Sequence, residues 1–141
     1  MLITRKAGFS ASHCTARPDW SAERNAEVYG ESANPHGHGH NYELEVTLSG
    51  EPDPVTGMVM DLKELKRILN EEVIHPFDHR HLNHEVPPFD RVVPTTENVA
   101  REIWRRLARR FHDGPPGVRL HNVRLWETAD VYVDYGGEDE R

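Results

Sequence analysis

Cysteine is almost absent from this chain: its 141 residues hold one, Cys14. A lone thiol cannot form an intrachain disulfide, so the fold is expected to do without covalent staples and to suit a reducing compartment. Long apolar runs are missing too. No stretch approaches the ~20 residues that cross a bilayer, and Met1-Leu2-Ile3-Thr4-Arg5-Lys6 lacks the apolar core of an export signal, so neither membrane insertion nor secretion is expected. Positive charge is in deficit. Against 24 Asp and Glu stand 17 Lys and Arg, a net charge of −7, and the arginines of 101–110 are spread along a helical pattern. Nucleic acid is therefore not expected as a partner, and the lone cysteine with the missing export signal predicts a cytoplasmic location. Apolar residues are also modest, 36% against 29% charged, which suits one domain over 1–141 that hides further surface by assembling with copies of itself.

Histidine, by contrast, is plentiful. Of ten, His36, His38 and His40 occupy alternate positions in His36-Gly-His-Gly-His-Asn-Tyr42, where a loop turns into a period-two strand. Side chains of one parity share a face, and neighbours of that parity stand roughly 6.5–7 Å apart along the backbone, so two such rings can reach one ion without completing its shell. A third ligand has to come from another strand. His13, closing the alternating segment Ala7 to Cys14, is the best candidate. Three neutral nitrogens with an open position describe a catalytic zinc site.

The remaining pattern is read as strand, strand, helix, helix, strand, strand. Residues 2–14 and 38–50 alternate, and Ser21 to Tyr29 between them forms a short helix. Pro52 to Gly57 reverses the chain into a short strand at Met58-Val59-Met60. Asp61 and Glu64 form a capping box for a helix striped by Leu62, Leu65, Ile68, Leu69 and Val73 and closed by Pro76. Irregular chain runs to Pro94. Thr95-Thr96-Glu97-Asn98 caps a second helix whose core stripe is Val99, Ile103, Leu107 and Phe111. Val118 to Glu127 and Val131 to Tyr135 are the last strands. This order predicts an α+β fold: a four-stranded antiparallel sheet with two helices on one face.

Phe9-Ser-Ala-Ser-His13, Asn34 to Tyr42, Gly50 to Asp61, Asp78-His79, Pro94 to Ala100 and Trp126-Glu-Thr128 together resemble the 6-pyruvoyltetrahydropterin synthase family, which includes the 6-carboxytetrahydropterin synthases of queuosine biosynthesis. The resemblance runs in order from about residue 5 to residue 136. It implies the tunnelling fold, in which trimers close their sheets into a barrel and pair into a homohexamer with active sites between subunits. It implies zinc on His13, His38 and His40, with His36 an extra histidine. Glu127 matches the carboxylate that grips a pterin, whose guanidine-like edge can donate two parallel bonds. Thr95 and Thr96 match pocket positions, with Glu97 beside them, and Asp78-His79 matches a catalytic pair, the carboxylate orienting an imidazole for proton transfer.

One position departs from that pattern. Animal members carry a catalytic cysteine six residues before the first histidine of His-Gly-His, and here that position is Ser32. A thiol of ordinary pKa about 8.5 can be tuned to work near neutrality, whereas a hydroxyl is far less acidic. Glu31, His36 or Cys14 could supply the base, Cys14 least readily because it adjoins His13 and faces the other way. The function implied is a zinc-dependent lyase converting 7,8-dihydroneopterin triphosphate to 6-pyruvoyltetrahydropterin. The alternatives are the 6-carboxy product, or a pterin-binding homologue that has lost the chemistry.

Overall fold

The computed structural model describes residues 1–140. Two long strands, β1 (Leu2–His13) and β2 (His38–Ser49), pair antiparallel without a break from Leu2↔Ser49 to His13↔His38. The far edge of β2 takes β4 (Arg119–Thr128), and β5 (Val131–Tyr135) pairs with β4. A fifth strand was not expected. It is β3 (Arg80–His81), two residues paired parallel to β1 at Ala11 and Ser12, which makes the order β3-β1-β2-β4-β5. A two-residue strand cannot display alternation, so the sequence gives no sign of it.

The expected strand at Met58–Met60 does not form. Its backbone is spent on the preceding turn instead: Asp53 N–H donates to the Met58 carbonyl at 2.9 Å, and the Asp53 carboxylate accepts from the amides of Val55 and Thr56. Met58 N–H in turn donates to the Thr56 hydroxyl at 3.3 Å, so both backbone groups of Met58 face the turn rather than a neighbouring strand.

Helix α1 (Ala22–Tyr29) starts at Ser21, whose hydroxyl accepts from Arg24 N–H. Helix α2 (Leu62–Leu69) is capped by Asp61, which accepts from Lys63 N–H at 2.9 Å. Glu64 does not reach back to complete a capping box, because Arg67 holds it on the helix surface. Pro76 does not close this helix either. A wide π turn over Asn70–Ile74 leads into α3 (His75–Phe77), where a proline without an N–H fits the first turn. The short α4 (Leu82–Glu85) follows β3, and α5 (Thr96–His112) follows its Thr95 cap.

Alternation decides what lies between sheet and helices. Phe9, Ala11, Tyr42, Leu44, Val46, Leu48, Val123 and Leu125 are buried on one sheet face. They pack with Leu65, Ile68, Leu69 and Val73 from the α2 region and Val99, Ile103, Leu107 and Phe111 from α5. Leu62 is the exception in the predicted stripe, half exposed at the first turn. Each fully buried aliphatic or phenyl side chain contributes about 1.5–3 kcal/mol. The opposite sheet face is polar, held by Thr4–Thr47, Ser10–Asn41 and Trp126–Glu45 contacts. No helix among the described residues is long and apolar enough to cross a membrane.

Candidate metal centre and its surroundings

His13 ends β1 opposite His38, the first residue of β2, and His40 follows two positions along. Strand parity therefore sends all three rings to the core side of the sheet. Their ligand atoms lie within 4.8 Å of one another, and His13 Nε2 stands 3.1 Å from His38 Nε2. A tetrahedral zinc at about 2.0–2.1 Å from each nitrogen would hold them about 3.3 Å apart, so closing on an ion requires only a small adjustment.

The protonation states suit ligands. His13 is 1% exposed, and its Nδ1–H donates to the Pro94 carbonyl at 2.8 Å, which leaves Nε2 as the free lone pair. Burial, more than the neighbouring charges, lowers the pKa of His13 and of His40. Burial thereby favours the neutral form of both rings. His40 Nε2 is buried, makes no hydrogen bond, and lies 3.4 Å from Glu127 Oε1. An unsatisfied buried nitrogen costs about 1–3 kcal/mol, a debt that a bound cation removes. The residues present thus fit a zinc ion.

His36 stands apart from this cluster. Gly37, at φ +75°, interrupts the alternation before β2 begins, and His36 is left exposed in the turn. The expectation that His36, His38 and His40 share a face therefore fails at its first residue. A Cβ on Gly37 would also meet the His13 carbonyl and His81 Nε2 at 3.0 Å each, so a glycine is required there.

Glu127 comes to the same place from β4. One carboxylate oxygen faces His40 and the other accepts from the Thr96 hydroxyl in a close contact. Thr96 opens α5 and is buried, while Thr95 serves as the cap, accepting from Asn98 N–H at 3.3 Å. Glu97 is exposed and joins no bond of the cluster. Tyr42 shares the parity of His40 and lies wholly buried beneath these groups, its hydroxyl without a partner. Burial pushes its pKa up, and the Glu127 charge adds to that. Parity alone could have singled out Tyr42; the Pro94 carbonyl left no trace in the sequence.

Ser32 and Glu31 lie in the 3-10 turn Gly30–Ala33. They line a cavity of about 440 Å³ with Asn34, Gly37 and His38, so position 32 borders the histidine cluster. The Ser32 carbonyl accepts from Thr15 N–H at 2.8 Å. Cys14 is turned elsewhere: its thiol donates to the Ala33 carbonyl at 3.4 Å, and burial pushes its pKa up.

Asp78 and His79 are joined to each other but not to the histidine centre. His79 Nδ1 lies 3.0 Å from Asp78 Oδ2. Asp78 Oδ1 accepts from Ser10 N–H, which holds its carboxyl below the usual range, with His79 assisting. His79 adopts φ +58°, donates its own N–H to the Ser10 carbonyl at 2.6 Å, and leaves its ring 83% exposed. Among the described residues no hydrogen bond or ion pair connects this pair to the three histidines or to Glu127.

Comparison with known proteins shows the family of the chain. The family described as 6-pyruvoyl tetrahydropterin synthase matches residues 2–138. The 6-pyruvoyl tetrahydrobiopterin synthase of Homo sapiens is 46% identical over 136 residues, covering 96% of this chain and 91% of that protein. The protein of the same name from Pongo abelii matches to the same extent. The solved structure of Caenorhabditis elegans 6-pyruvoyl tetrahydropterin synthase superposes with a TM-score of 0.90 at 36% identity, over 98% of this chain and 96% of that one. The shared architecture is the tunnelling fold, and the chain belongs to the 6-pyruvoyl tetrahydropterin synthase family.

Proposed function

We propose that this chain is a zinc-dependent lyase that converts 7,8-dihydroneopterin triphosphate to 6-pyruvoyltetrahydropterin and releases triphosphate. The observation that carries the reading is the convergence of His13, His38 and His40 with Glu127 in one buried cluster. The level of identity to relatives named for the pyruvoyl product favours that product over the 6-carboxy one.

His13, His38 and His40 would hold the zinc, which supplies a Lewis acid that lowers the pKa of substrate hydroxyls. Glu127 accepts the N–H edge of the pterin, and Thr96 aims that carboxylate through its own bond to it. Glu31 is the base we assign beside Ser32, taking a proton from the side-chain carbon. Asp78 orients His79, which returns a proton as triphosphate departs. Since Asp78 and His79 do not join the histidine centre within one chain, the reading places them in the site of a neighbouring subunit of a homohexamer, a dimer of trimers.

Ser32 supports a second reading, a pterin-binding homologue without turnover. One experiment separates the two. Zinc-loaded protein incubated with 7,8-dihydroneopterin triphosphate should release triphosphate; binding of the pterin without release would leave the second reading standing and overturn the first.

A further inference from the structure

Backbone groups on the outer edge of β1 are satisfied in succession by one short segment, residues 78–83. Ser10 is held by the Asp78 carboxylate and by His79 N–H. Ser12 pairs with His81 of β3. Beyond the end of the strand the ladder continues with a side chain: Asn83 Oδ1 accepts from Cys14 N–H at 2.8 Å, and Asn83 Nδ2 donates to the Cys14 carbonyl at 2.9 Å. A primary amide offers a donor and an acceptor together, which a neighbouring peptide group would otherwise provide. Leu82, fully buried, anchors the short helix that presents it.

Cys14 has a functional neighbour on each side. His13 precedes it, and Thr15 follows, whose N–H donates to the Ser32 carbonyl at 2.8 Å. The Cys14 thiol itself reaches the Ala33 carbonyl. We propose that Asn83 is a positioning residue: by clamping the Cys14 backbone it fixes both the direction of His13 and the place of the turn bearing Glu31 and Ser32. His81 reinforces the same corner, because its ring fills the space beside Gly37, immediately before His38. The proposal rests on the reading of the three histidines as a metal centre.

The test uses the full chain with Asn83→Ala and Asn83→Asp. Zinc affinity is measured by competition with a chromophoric chelator, ligand geometry by the visible bands of the cobalt(II) form, and general stability by melting of the metal-free protein. Outer contacts that orient ligands change metal affinity by about 10–100-fold, and a loss on that scale with altered cobalt bands is expected for both variants. General loosening would lower the melting temperature and leave the cobalt bands in place. If Asn83→Ala does not fold, the isosteric Asn83→Asp, which keeps the acceptor and loses the donor, carries the comparison alone. Unchanged affinity and unchanged bands overturn the proposal. Failure of the unaltered chain to take up zinc or cobalt overturns the metal reading instead.

Discussion

At position 32 a hydroxyl borders the histidine cluster where the family resemblance implies a thiol, and Glu31 stands next to it on the same cavity. If Glu31 is the working base, Glu31→Ala should abolish triphosphate release. Ser32→Cys should raise the rate if the site is otherwise complete, within or below the roughly 10²–10⁴-fold that a general-base step contributes; a steady-state assay reads both. Among the histidines, His40→Ala should remove about one zinc per subunit and His36→Ala should not, as metal analysis of the purified variants will report. The pH response follows from burial. His13 and His40 have pKa values lowered from the ordinary 6.5, so below that pH the unfolded chain gains protons that the folded chain refuses. Metal-free protein should therefore lose stability as pH falls beneath about 6.5 and change little on this account above it. Urea midpoints at pH 7.5 and 5.5 provide the comparison.

At the scale of elements, the stripes of α2 and α5 and the long strands were legible because each repeats a burial pattern over several turns or rungs. Ile103, at the middle of the α5 stripe, is fully buried, so Ile103→Ala should cost about 2–5 kcal/mol, measurable by chemical denaturation. What the sequence could not display are arrangements made by single contacts across distant segments. β3 is two residues long, and Asn83 acts as strand backbone through a side chain, so neither has a periodic signature. The histidine site was legible in part. His38 and His40 followed from parity, and His13 from its place at a strand end. His36 does not share their face, because the positive φ of Gly37 breaks the two-residue period before β2 begins. Pro76 does not end α2 because a π turn over Asn70–Ile74 intervenes, and the proline is taken into the first turn of α3.

For the molecule as a whole, a sheet with one polar face and an outer strand, β5, carrying half-exposed Val131 and Tyr132 is poorly suited to standing alone. The chain is expected to sediment as a hexamer, and a monomer at micromolar concentration would count against shared sites. The strand order has one more consequence. β2 is the middle strand, flanked by β1 and β4, and it carries two of the three clustered histidines on a ladder twelve residues long. Amide hydrogens at the centre of such a sheet open only with global unfolding. Native-state hydrogen exchange should thus find β2 among the slowest segments whether or not metal is present. A chelator would then yield a folded apoprotein with its imidazoles still gathered, ready to recapture the ion without refolding.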